Sequence, residues 1–180
     1  LSEIGNVMPD GLYPNVIQSI AEDNSGNIWI ASMSHGGVHK FDGKTFNQYM
    51  PKDGISDDQV RTNIVDSKGN IWFGFNGNRE SGLTYFDGNS FQTFTEKDGL
   101  CTKNIRAIYE DTKGNLWVGG QQGFCTYNGK EFSRFVDSKG KTYEGIVFII
   151  GDKEDNIWFG GTNGFWKYDG DVVTDMTRRN

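Results

Sequence analysis

Proline and cysteine are scarce in this 180-residue sequence, with three of the first and two of the second. No run of about 18 apolar residues occurs, so no segment reads as a membrane-crossing helix, and no signal-peptide pattern is present. Basic residues are in the minority, 18 Lys and Arg against 24 Asp and Glu, for a net charge of −6. The only basic cluster is Arg178-Arg179. Nucleic-acid binding needs a positive face for the phosphates, so this balance argues against it. It argues equally against contact with an anionic membrane within this segment. Cys101 and Cys125 form no Cys-x-x-Cys pair, so a zinc site is not expected, and they read as two unpaired small core residues. The two histidines, His35 and His39, offer no acid–base pair with any neighbour by spacing, and no catalytic machinery is expected.

What is abundant is glycine, 25 residues, and aromatics, 14%. That mixture suits short strands joined by tight turns. It is organised as an internal repeat. Four segments share one frame: Asp23-Asn-Ser-Gly-Asn-Ile-Trp29, Asp66-Ser-Lys-Gly-Asn-Ile-Trp72, Asp111-Thr-Lys-Gly-Asn-Leu-Trp117 and Asp152-Lys-Glu-Asp-Asn-Ile-Trp158. A second anchor follows each: Phe41-Asp-Gly43, Phe86-Asp-Gly88, Tyr127-Asn-Gly129 and Tyr168-Asp-Gly170. From this second anchor to the next Asp is always 23 residues, whereas from Trp to the following Gly the gaps are 8, 10, 6 and 6. One loop per repeat is free to change length and the rest is fixed, as in a scaffold that carries variable loops.

Each repeat reads as four strands, a to d. Strand a comprises residues 16–22, 60–65, 105–110 and 146–150. Strand b starts at Ile28 and its copies, with Trp in second place. Strand c covers 38–41 and its copies, and strand d covers 46–49, 91–94, 132–135 and 173–176. Asp-x-x-Gly-Asn and Asp-Gly supply the hairpin turns. Four strands in 41–45 residues is the blade period of a β-propeller. The expectation is therefore an all-β propeller domain over 1–180. Its blades fall at about 16–50, 59–95, 104–136 and 146–176, as a four-bladed ring or part of a larger propeller. Trp29, Trp72, Trp117 and Trp158 are expected to be structural, filling the space between blades; Trp166, on strand c, falls outside the pattern. Residues 1–8 occupy the place of a surplus outer strand. Together with a start at Leu1 rather than Met, this leads us to expect a piece of a longer array, prone to self-association through open blade faces.

The Asp-x-x-Gly-Asn-[Ile/Leu]-Trp unit, followed by Gly-x-x-x-[Phe/Tyr]-[Asp/Asn]-Gly, resembles the two-component regulator propeller repeat over about residues 10–176. Asp10-Gly-Leu12, Asp53-Gly-Ile55 and Asp98-Gly-Leu100, leading into strand a, add to the likeness. The fourth repeat departs from it: Asp155 replaces the turn glycine, and Ser138-Lys-Gly140 stands where Lys-Asp-Gly is expected. The resemblance implies a periplasmic or otherwise extracytoplasmic sensor region of bacterial histidine kinases and hybrid regulators.

If the strands alternate in direction, the b–c and d–a connections share one rim, and the fixed a–b and c–d turns share the other. The variable rim is where a polar small molecule or oligosaccharide would be held. Its candidates are Ser34 and His35; Asn76, Asn78, Arg79 and Glu80; Gln121 and Gln122; Thr162 and Asn163; and, from the d–a segments, Tyr13, Lys103 and Asn104. Arg79 and Glu80 lead, because they lie in the longest loop. No cofactor is implied. The Asp-x-x-Gly-Asn turn lacks the alternating acids and terminal Glu of a calcium loop, and a loop-and-strand placement of His35 and His39 gives no metal pair. A protein–protein scaffold is the alternative function. A second is a lyase-like enzyme, since the Gly-Asn-Ile-Trp blades also resemble the streptogramin lyase propeller.

Overall fold

A computed structural model describes residues 16–77 and 81–177. Its sixteen strands form four separate four-stranded antiparallel sheets, each with its strands in sequence order. The first blade is β1 (Ile17–Glu22), β2 (Ile28–Ser32), β3 (Val38–Phe41) and β4 (Phe46–Tyr49). The second is β5 (Val60–Val65), β6 (Ile71–Phe75), β7 (Leu83–Phe86) and β8 (Phe91–Phe94). The third is β9 (Ile105–Glu110), β10 (Leu116–Gly120), β11 (Phe124–Tyr127) and β12 (Phe132–Arg134). The fourth is β13 (Ile146–Gly151), β14 (Ile157–Gly161), β15 (Gly164–Tyr168) and β16 (Val173–Asp175). The surplus outer strand expected at 1–8 lies outside the described residues.

The a–b turn is a lock built on one carboxylate. Asp23 Oδ1 accepts from the backbone N–H of Ser25 and Asn27, and Oδ2 accepts from Asn27 Nδ2 and from Trp29 Nε1 at 2.8 Å. The indole bond recurs from Trp72 to Asp66, Trp117 to Asp111 and Trp158 to Asp152, at 2.9, 2.9 and 2.7 Å. The turn needs a left-handed residue, and Gly26, Gly69 and Gly114 supply it at φ +80°, +86° and +81°. In the fourth blade Asp155 takes that conformation at φ +63°, which an L-residue reaches at some backbone cost.

These bonds also set a pH dependence. Hydrogen bonds from Trp158, and then from Asn156 and Glu154, hold the Asp152 carboxyl down at about 2. At Asp23 and Asp111 burial pushes the other way, but the donated hydrogen bonds outweigh it and both groups end up lowered. A carboxyl depressed in the folded state adds stability that is complete above its free value near about 4 and is lost as pH falls through the folded one. Urea midpoints should therefore fall steadily between about pH 4 and 2, and Asp152→Asn should flatten that slope.

The first three indoles face forward, onto the following blade. Trp29, fully buried, packs on Phe73 and Phe86 of the second blade at 5.7 and 5.3 Å. Trp72 meets Tyr127 of the third, and Trp117 meets Tyr168 of the fourth, at 5.8 and 5.9 Å. The core is accordingly three apolar clusters, one at each blade–blade interface. Close approach is needed there: a Cβ at Gly74 would stand 2.5 Å from Ile105 Cγ2, and one at Gly119 would stand 2.5 Å from Ile146 Cγ2. Both are strand b glycines that admit the next blade's strand a.

The blades form an open arc. Strand β1 packs on β5, β5 on β9 and β9 on β13, with no comparable packing from β13 back to β1. Ile17 and Ile20 occupy the register positions at which Val60 and Asn63 are buried against a preceding blade, yet they are 40% and 63% exposed. At the other end Ile150 is 58% exposed, and Trp158 is only half-buried, stacked on Phe165 of its own blade.

Two features depart from the expectations. Cys101 and Cys125 are not unpaired: they form a disulfide with their Cα atoms 6.0 Å apart. The bond ties the segment before β9 to β11, a pairing that sequence spacing does not reveal because it depends on how the blade folds. The segment preceding β13 also differs from its counterparts. Where the second and third blades are entered through one-turn 3₁₀ helices, Pro51–Asp53 and Glu96–Asp98, residues 136–143 form a small hairpin closed by a Val136–Thr142 bridge. It is a fifth copy of the lock: Asp137 Oδ1 accepts from the N–H of Lys139 and Lys141, and Tyr143 donates its hydroxyl to Oδ2 at 2.8 Å. Tyr143 packs edge-on against Phe159 and Trp166, each at 5.1 Å. Trp166, buried, therefore belongs to the last interface cluster.

Candidate functional site

The b–c and d–a connections do share one rim, and the backbone joins them blade by blade. Met33 donates to the carbonyl of Val16, Asn76 to Gln59, Gln121 to Asn104 and Thr162 to Gly145, all at 3.0–3.1 Å. Each variable loop is thus tied to the entry segment of its own blade. Gly37 donating to Asp58 and Gly145 donating to Gln121 carry the connection onward to the next blade.

Between the first two blades the rim carries a side-chain relay. Asp58 Oδ1 lies 3.0 Å from His35 Nδ1, and His35 Nε2 lies 3.0 Å from Gln59 Nε2. Asn76 Nδ2 donates to Gln59 Oε1 at 2.7 Å, and Arg61 Nε donates to Asn76 Oδ1 at 2.7 Å. His35 sits in the left-handed region at φ +58°. Such backbone strain in a non-glycine is held in place by its surroundings and often marks functional loops. Beside the relay Asp57 is buried; burial raises its pKa, Asp58 adds to the rise, and its Oδ2 has no hydrogen-bond partner. His39 is elsewhere, buried within β3, where burial lowers its pKa; it does not converge with His35 on the rim.

Between the third and fourth blades the rim opens into a cleft of about 420 Å³, lined by Arg106, Gln121, Glu144, Gly145, Thr162 and Asn163. Three clefts between blades at the opposite rim are smaller, about 40, 220 and 330 Å³. They run along the Asp–Trp locks, whose aspartates are already engaged in the turns.

The sequence candidates are thus distributed. His35 and Asn76 join one relay, and Gln121 and Asn163 face one cleft. Gln122 is occupied locally: its Oε1 accepts from Thr102 Oγ1 at 2.8 Å. Asn104 keeps a buried Oδ1 with no partner. Tyr13, Asn78, Arg79 and Glu80 lie outside the described residues. The spacing argument did not single out Asp58, Gln59, Arg61, Arg106 and Glu144. A signal for two of them was present, an arginine in second place of strand a in two successive repeats.

The sequence profile of the two component regulator propeller family matches residues 14–34 and 99–122. The extracellular domain of BT3049 from B. thetaiotaomicron, described as a hybrid two component system, superposes with TM-score 0.74 at 27% identity over 86% of this chain. Two stretches of the chain, in the first and third blades, thus match the two component regulator propeller repeat. The extracellular domain of BT4673 from the same organism shares the fold, with TM-score 0.75 at 14% identity over 96% of the chain. So does virginiamycin B lyase from Staphylococcus aureus, at 0.70 and 15% over 91%. No curated protein sequence matches the chain. The matched part of this chain spans 22% and 23% of the lengths of the BT3049 and BT4673 domains, and 56% of the lyase.

Proposed function

We propose that this chain is the ligand-sensing part of an extracytoplasmic regulator propeller, which captures a polar small molecule or oligosaccharide on its variable-loop rim. The observation that supports this most is the convergence of amide, hydroxyl and guanidinium groups on that rim. They line one cleft and form one relay, while the opposite rim commits its lock aspartates to turns. Capture would favour one arrangement of neighbouring blades, because each b–c loop is bonded to an entry segment and two of these connections cross to the next blade. A ligand shifts such an equilibrium by its difference in affinity for the two arrangements. The Cys101–Cys125 disulfide fits an oxidising compartment outside the cytoplasm, and the extracellular domains named above point the same way.

The exposed Ile17, Ile20 and Ile150 favour a second reading, a scaffold for another protein or a second copy. One thermal-shift panel separates the two. A saccharide or small molecule at about 100 times its dissociation constant should add roughly 2.7 kcal/mol of stability. A response to protein partners alone, with none to any small ligand, would select the scaffold and remove the sensing reading.

A further inference from the structure

We propose that Arg106 holds the acidic group of a saccharide in the rim cleft between the third and fourth blades. This rests on the sensing reading above and gives it a ligand class.

The two arginines are placed by the same local device. In every blade the pairing of strand a with strand b slips by one residue near its start, and the extra residue of the bulge is Gln18, Arg61, Arg106 or Val147. Bulges re-aim a side chain, and here they place two guanidinium groups on neighbouring innermost strands. The chain holds more acids than bases, yet among the described residues neither arginine has a carboxylate within ion-pair distance. Arg61 at least gives its Nε to Asn76. Arg106 has a buried Nε with no hydrogen-bond partner at all. Burial lowers the Arg61 pKa and the neighbouring charge of Arg106 lowers it further. A guanidinium with a buried nitrogen left unpaired is costly, and an anion in the cleft beside Arg106 answers it.

The remaining cleft groups define the rest of the ligand. Gln121, Thr162 and Asn163 offer amides and a hydroxyl, which pair with sugar hydroxyls. Glu144 on the same wall accepts from hydroxyls and repels a second acidic group. The ligand class is therefore a saccharide with one acidic group amid neutral hydroxyls. A guanidinium binds a carboxylate or a sulfate through paired N–H donors, so both acids satisfy the site.

Calorimetry on the whole chain tests this with three disaccharides: one carrying a single uronate, one carrying a single sulfate, and a neutral one. We expect at least one acidic disaccharide to bind tenfold or more tighter than the neutral one, with a preference that shrinks as salt rises. Arg106→Met should erase that preference, and Arg106→Lys, which keeps the charge but not the fork, should restore part of it. The stronger acid names the group. Equal affinity for acidic and neutral sugars, or a preference that survives Arg106→Met, would overturn the acidic-ligand inference while leaving rim recognition standing. If no disaccharide bound at all, both readings would fall.

Discussion

Replacing Trp29 by alanine should lower the stability of the chain by about 3–5 kcal/mol, whereas the same change at Trp158 should cost only about 1 kcal/mol. The two residues occupy equivalent places in their repeats and make the same bond to an aspartate. What differs is the surface that receives the indole. Trp29 is closed in by Phe73, Phe86 and Tyr49, so truncation leaves a cavity that close-packed neighbours cannot fill. Trp158 stacks on one ring of its own blade, with Lys167 Nζ 5.8 Å from its centroid, and truncation there mostly exposes surface that is already half wet. Urea titrations of the two variants decide the matter. Equal losses would mean that the indole acts within its own blade rather than between blades.

The second large effect concerns the disulfide. Cys101 and Cys125 are 24 positions apart, and closing a loop of that length restricts the unfolded chain enough to contribute about 3–4 kcal/mol. A reductant should therefore lower the urea midpoint of the native chain and leave a Cys101→Ser, Cys125→Ala double variant unmoved. The bond also reaches the rim. Arg134 donates to the carbonyls of Cys101 and Gln122, so the segment that leads to Asn104 and Arg106 is held from two sides. Reduction should loosen the rim at Asn104 and Arg106 along with the fold.

The blade architecture was legible because its determinants are local. A turn aspartate, a left-handed glycine and an indole six residues on form one unit that closes on itself, and Ile28, Val38 and Phe46 with their copies mark where the strands begin. What stayed hidden depends on contacts between units. The disulfide joins an entry segment to a third strand, so no spacing within the repeat announces it. Asp137 and Tyr143 repeat the lock at the usual six-residue distance, but with a phenol in place of the indole and in a segment that elsewhere forms a short helix. Second place in strand a does not by itself mark Arg61 and Arg106; only the pairing with β6 and β10 makes each the extra residue of a bulge. The variable loops do share one rim with the entry segments, where His35 and Asn76 join one relay and Gln121 and Asn163 face one cleft.

The forward-facing indoles also give the arc a polarity. Its leading end offers Ile17 and Ile20, and its trailing end offers Ile150 and the flank of Trp158. The two ends are unlike surfaces, so further copies of the arc would meet leading end to trailing end. The rotation per added unit then decides between a closed wheel and an unending stack.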